Sequence, residues 1–110
     1  MKGHSGDIIS VCFSSDGTMI ATGSTDSLAM IWDVQTGSIL GEPLKFHSSS
    51  IASVSFSPDD TRIVTGSHDG LAIIWDAKTG AVIGEPLKFH SEPIICVAFS
   101  PDGSKIATGS

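Results

Sequence analysis

The chain has 110 residues and a formal net charge of −6; 40% of it is hydrophobic and 16% charged, the composition of a globular protein rather than a disordered one. Only six Lys and Arg are present, and the single arginine, Arg62, has no basic neighbours. This argues against nucleic acid and anionic membrane, so neither is expected as a partner, because polyanion binding needs clustered cations. No apolar run is long enough to span a bilayer, and the polar stretch from Met1 to Asp7 carries no signal-peptide core, so an intracellular setting is expected, cytoplasmic first with the nucleus open.

In chain order, alternation from Ile8 to Phe13 predicts a first strand, closed by the turn Ser14-Ser15-Asp16-Gly17. Asp bonds its local backbone there and Gly accepts φ > 0, which makes a tight hairpin. A second strand is expected over Met19 to Gly23, followed by a polar turn at Ser24 to Ser27. The third, Leu28 to Trp32, is apolar almost throughout. The turn Gln35-Thr36-Gly37 leads to a fourth strand near Ile39 and Leu40. The same scheme then begins again.

The restart is regular. His4 recurs as His47 and His90, Trp32 as Trp75, Asp26 as Asp69 and Asp33 as Asp76, in steps of about 43 residues, and Gly41 to His47 recurs letter for letter at Gly84 to His90. About 27 of 43 positions are identical between the first two units. The units are phased at 4–46 and 47–89, with a partial third at 90–110. The hairpin turn becomes Ser57-Pro58-Asp59-Asp60 in unit two and Ser100-Pro101-Asp102-Gly103 in unit three. Asp60 stands where the other units have Gly, so strain is expected there. Four short strands per repeat, joined by hairpins, describe one blade of a β-propeller. The run Leu71-Ala72-Ile73-Ile74-Trp75 suits a strand covered on both faces by neighbouring blades. Cys12 and Cys96 occupy different places in the repeat, so they are expected to be small buried apolar residues and not a disulfide.

These residues closely resemble the WD40 repeat family. The marks are Gly3-His4, Val11-Cys12-Phe13-Ser14, Ile20-Ala21-Thr22-Gly23-Ser24, Asp26 and Ile31-Trp32-Asp33, matched in unit two by His47, Val54-Ser55-Phe56-Ser57-Pro58-Asp59, Gly66-Ser67, Asp69 and Ile74-Trp75-Asp76. The near identity of the units also resembles the tandem repeats of long fungal WD40 arrays. The implied fold is all-β: an incomplete propeller with two four-stranded antiparallel blades plus the first two strands of a third. Two departures stand out. Phe46 and Phe89 replace the Gly that usually precedes the His, and the family usually builds seven blades where this chain encodes about two and a half.

The resemblance also implies a structural hydrogen-bond network in each blade, running from a turn Asp to a His, then to a strand-two hydroxyl, then to the Trp indole. Blade one would use His4, Thr22 (with Ser24 as the lesser choice), Asp26 and Trp32; blade two would use His47, Thr65, Asp69 and Trp75. The third unit has His90 and Thr108 but no such Asp or Trp. A catalytic His–Asp dyad or a metal site is disfavoured, because a 43-residue repeat sends these His residues to separate blades and no second His or Cys supports any of them. Neither metal nor cofactor is expected.

Peptide-contacting positions in WD40 proteins lie on the top face, near the start of the first strand and just before the turn Asp. Carried over, these are Asp7, Ile9 and Thr25, then Ser50, Ala52 and His68, then Pro93 and Ile95. His68 reads first as an exposed turn residue, with a contact on the binding face as the alternative. The set lacks the Trp, Tyr and Arg of energetic hot spots, so it names a place and no ligand.

An open run of blades leaves an apolar face at each end and unpaired strand edges, which invite self-association. Simple head-to-tail closure of copies would leave a defective blade at each junction, since a following copy supplies strand one where strands three and four are needed. The expectation is a fragment of a longer array. Its function is a non-catalytic scaffold for a protein or peptide partner, or a purely structural part of a larger protein; an enzyme is the weakest of the three readings, since near-copies build a frame rather than an asymmetric site.

Overall fold

A computed structural model describes residues 6–41, 43–45, 47, 49–85, 87–88, 94 and 96–109. Every regular element among them is a strand. Blade one is a four-stranded antiparallel sheet in chain order, β1 (Ile8–Phe13), β2 (Met19–Ser24), β3 (Leu28–Asp33) and β4 (Leu44–Lys45). Blade two has β5 (Ile51–Phe56), β6 (Arg62–Ser67) and β7 (Ala72–Asp76). The third unit contributes the hairpin of β8 (Cys96–Phe99) and β9 (Ile106–Gly109). This is the all-β, incomplete propeller that the repeat implied.

Each hairpin turn is closed by the same four-point arrangement. Asp16 accepts from the Ser14 hydroxyl at 2.8 Å, the Thr18 hydroxyl at 2.7 Å and the Thr18 amide at 3.0 Å, while Ser14 Oγ accepts the Met19 amide at 3.0 Å. Asp59 and Asp102 repeat it. Three donors on one carboxylate favour its charged form and lower all three pKa values, those of Asp59 and Asp102 to about 2.

The fourth strand differs from the expectation near Ile39 and Leu40. It comes in two pieces. Ile39 bridges Trp32, the chain then leaves the sheet through Gly41 at φ 73, and it rejoins where Leu44 pairs with Ala29. Four positions separate Ile39 from Leu44, while only Met30 and Ile31 separate their partners, so a bulge breaks the ladder. Blade two repeats this with bridges Trp75–Val82 and Ala72–Leu87 around Gly84 at φ 72, so its outer strand is reduced to two isolated bridges. Asp60 does take the left-handed conformation, at φ 63, and so does Ser27, at φ 72, where unit two has Gly70.

Most of the core lies between blades, and a smaller cluster of Ile20, Met30 and Trp32 with Leu28 and Ile39 lies within blade one. Cys12, Met19, Ala21, Ala29 and Ile31 of blade one pack on Ile51, Val54, Phe56, Ile63 and Trp75 of blade two. The other face of blade two, with Val64 and Ala72, packs on Ile94 and Val97 of the third unit. The strands approach closely because Gly23 and Gly66 present no side chain: a Cβ on Gly23 would lie 2.5 Å from Ile51, and one on Gly66 would lie 2.6 Å from Val97. Serines stitch the same junctions, Ser10 Oγ accepting the Val54 amide and Ser53 Oγ the Val97 amide, each at 3.2 Å.

Cysteine burial departs from the expectation. Cys12 is half-buried at the first junction, but Cys96 is exposed, with no blade over that side of β8 among the described residues. Both are free thiols.

Candidate functional site

The polar network is complete in blade two. Strand β6 carries Thr65 opposite Ile73 of β7, and the Trp75 indole N–H reaches the Thr65 hydroxyl at 2.9 Å. Thr65 Oγ1 lies 2.6 Å from His47 Nε2, and His47 Nδ1 lies 2.9 Å from Asp69 Oδ2. The second carboxylate oxygen of Asp69 accepts the Leu71 amide at 2.9 Å, which shapes the β6–β7 turn. An indole can only donate and a carboxylate can only accept, so with a neutral imidazole the chain has one direction. Trp75 donates to Thr65, Thr65 to His47, and His47 to Asp69.

His47 is buried, and this desolvation pulls its pKa below the ordinary 6.5; the hydrogen bond and charge of Asp69 oppose the shift without reversing it. The His is thus held neutral, as the donor sequence requires. It faces a threonine and a carboxylate inside the blade and has no open side from which to meet a substrate. Its work is to satisfy buried polar groups, and no buried side-chain nitrogen or oxygen among the described residues lacks a partner.

In blade one the Trp32 indole donates to Thr22 at 2.9 Å and Asp26 accepts the Leu28 amide at 2.9 Å. His4 lies outside the described residues, as do His90, Phe46 and Phe89. The hydroxyl on the tryptophan is thus a threonine in both blades. Ser24 and Ser67 hold the turn instead, accepting the Asp26 and Asp69 amides at 3.2 Å.

Two aspartates outside this network, Asp33 and Asp76, close the turn after each tryptophan. Asp33 accepts the amides of Gln35 and Thr36 at 2.9 and 3.0 Å, and Asp76 those of Lys78 and Thr79 at 2.8 and 2.9 Å. Their recurrence directly after each tryptophan was visible; the turn they close was not assigned to them. Those amide donors also hold the Asp76 carboxyl below its usual range.

The described residues among the expected contact positions fall together in pairs. Asp7 and Thr25 are joined twice: the Asp7 amide donates to Thr25 Oγ1 at 2.8 Å, and the Thr25 amide to the Asp7 carbonyl at 2.9 Å. In blade two the His68 amide donates to the Ser50 carbonyl at 3.0 Å. Between each such pair and the ladder sits a bulge. Register slips between Ile8 and Ser10 and again between Ile51 and Ser53, so Ile9 and Ala52 are the extra residues. A bulge re-aims its side chain, and it recurs at the same place in both blades. Asp7, Ile9, Thr25 and His68 are exposed, and Ser50 and Ala52 half-buried. Pro93 and Ile95 lie outside the described residues. The larger depressions open at the opposite, turn-bearing rim, one of about 410 Å³ beside Met19, Asp59, Thr61 and Lys78.

The family model described as "WD domain, G-beta repeat" matches residues 1–33, 37–76 and 82–110. Among curated proteins, the chain is 42% identical over 45 residues to a subunit of chromatin assembly factor 1 of Gallus gallus, covering 38% of this chain and 8% of that protein. It is 42% identical over 38 residues to the vegetative incompatibility protein HET-E-1 of Podospora anserina, covering 34% and 3%. To the ribosome biogenesis protein BOP1 homolog of Arabidopsis thaliana it is 46% identical over 39 residues, covering 36% and 5%. The chain spans less than a tenth of the length of each of these relatives.

Proposed function

The chain belongs to the WD40 family, and from that premise we propose that it is a non-catalytic scaffold that binds a protein or peptide partner at its top rim. The units at 4–46, 47–89 and 90–110 serve as its frame. The observation that carries the reading is the repeated rim: in both blades a bulge presents one residue, Ile9 or Ala52, beside a backbone-clasped pair, Asp7–Thr25 or Ser50–His68. The His–Asp pair of blade two is consumed by internal bonding, which leaves it no reaction to perform. The names of relatives in chromatin assembly and ribosome biogenesis support work within larger assemblies, in an intracellular setting.

A second reading is favoured by the short span against those relatives: the chain is a fragment of a longer propeller and serves there as frame alone. Affinity capture from cell extract, with quantitative mass spectrometry, separates the two. The chain is compared with Ile9→Asp/His68→Glu at the top rim and with Lys105→Glu at the turn rim, all exposed positions. A protein retained by the chain and by Lys105→Glu, but depleted at least tenfold by the rim pair, is the expected result. Identical profiles for all three would overturn the rim reading and leave the structural one.

A further inference from the structure

The depression of about 410 Å³ at the turn-bearing rim lies over the junction of blades one and two, and both of its walls are formed within the chain. Met19 and Ala77, each half-buried and packed against the core, supply its apolar part. One wall is the hairpin turn at Asp59, Asp60 and Thr61; the other is the turn after Trp75, with Asp76 and Lys78. The Ala77 amide donates to the Thr61 carbonyl at 2.9 Å and ties the two walls together. Ser15 braces Asp60 from blade one. The groove is therefore preformed, and its lining is mostly apolar.

Three carboxylates stand around this apolar surface. Asp59 holds the Ser57 and Thr61 hydroxyls and the Thr61 amide, Asp60 the Ser15 amide and hydroxyl, and Asp76 the amides of Lys78 and Thr79. Each of these donors is neutral, so the bonding leaves the negative charges in place. The cations that face them are Lys78, beside Asp76, and Arg62, whose charge acts on Asp59 from the next junction. That next junction shows what the first one lacks. Met19, Asp59, Asp60 and Thr61 correspond in the repeat to Arg62, Asp102, Gly103 and Ser104, and the latter four line the equivalent hollow between blade two and the third unit. There the chain's own guanidinium lines the hollow together with the carboxylates of Asp59 and Asp102. At the first junction Met19 replaces that cation, and Asp60 adds a carboxylate where the other units have glycine.

We propose that this groove takes an arginine side chain from a peptide segment of a partner protein, its stem on Met19 and Ala77 and its guanidinium among Asp59, Asp60 and Asp76. An arginine matches both halves of the groove: its methylenes cover apolar surface, and its planar donors suit carboxylates. An anionic group would meet three like charges, and a purely apolar side chain would strip water from carboxylates without replacing it. The site lies at the rim opposite Ile9 and His68 and does not depend on the reading given to those residues.

The test is an NMR titration of the isotope-labelled chain, at low ionic strength, with end-blocked Gly-X-Gly peptides in which X is arginine, its neutral isostere citrulline, or leucine. The arginine peptide is expected to shift the amides of Thr61, Ala77 and Lys78 saturably, and the other two to bind about tenfold more weakly, for want of charge-assisted bonds. Met19→Arg and Asp60→Gly give the first junction residues that the second already carries, so both variants are expected to fold. Met19→Arg is expected to reduce binding of the arginine peptide to the citrulline level, and Asp60→Gly to weaken it about threefold, the loss of one exposed charge. Equal binding of the citrulline or leucine peptide would overturn the proposal, as would no saturable shift with arginine or a Met19→Arg variant that binds like the parent. Shifts confined to Thr25 and His68 would put the peptide at the other rim and would overturn this site alone.

Discussion

Thr65 carries more than its size suggests. Its hydroxyl is the single link between the Trp75 indole and His47, all three buried. Thr65→Val keeps the volume and removes that link, leaving a buried donor and a buried acceptor unpaired at about 1–3 kcal/mol each. A clear fall in urea midpoint is expected, with Thr65→Ser close to the parent; equal midpoints for Val and Ser would refute the role. His47 adds a pH dependence. Its folded pKa lies below 6.5, so the unfolded chain binds the proton more tightly. Its contribution is complete above pH 6.5 and is lost as pH falls through that value toward the lower folded one. Asp59 and Asp102 act in a separate, more acidic window, their contribution lost between about 3.8 and about 2. Denaturation followed against pH is expected to show the upper phase vanish in His47→Gln, whatever that variant's absolute stability. Ser27 makes the opposite case: at φ 72 it sits where unit two uses Gly70, so Ser27→Gly is expected to raise stability by about 1 kcal/mol.

At the level of elements, the hairpin turns are matched across junctions. Ser15 of the first turn donates its amide and its hydroxyl to the Asp60 carboxylate of the second, both at 2.8 Å. At the next junction the corresponding residues are Pro58 and Gly103, in apolar contact. Asp60 therefore exchanges the ease of a glycine at φ 63 for two bonds to the neighbouring blade. Asp60→Gly alone is expected to gain in backbone strain relief and lose in bonding, with little net change. Ser15→Pro alone is expected to lower the thermal midpoint, because it removes both the amide and the hydroxyl donor to Asp60, and the double variant to recover it. An additive double variant would show that the turns are independent. The strain at Asp60 was legible from the repeat because Gly flanks it in both other units. Its compensation was not, because the partner lies 45 residues away in a different blade. Strands one to three were legible from alternation and turn residues, which are local. The split fourth strand was not: the reading placed it near Ile39 and Leu40, and only Ala29 and Leu28, across the sheet, bring Leu44 and Lys45 back into it.

For the molecule as a whole, the 43-residue period made the family, the blade and the phase readable, since every turn and core position occurs at least twice. The threonine in the tryptophan network and the bulges at the rim needed coordinates, because several hydroxyls and several registers satisfy the same sequence. The period implied strands covered by neighbouring blades, and the structure places that cover at the Gly23 and Gly66 gaps. The hairpins β1–β2 and β5–β6 have the same register and nearly the same residues, yet only the second is covered on the face of its first strand. Native-state hydrogen exchange at a concentration low enough to keep the chain dispersed compares them directly. The amides of β5–β6 are expected to exchange at least tenfold more slowly than their counterparts in β1–β2. Equal protection of the two hairpins would contradict the dependence of each blade on the one before it.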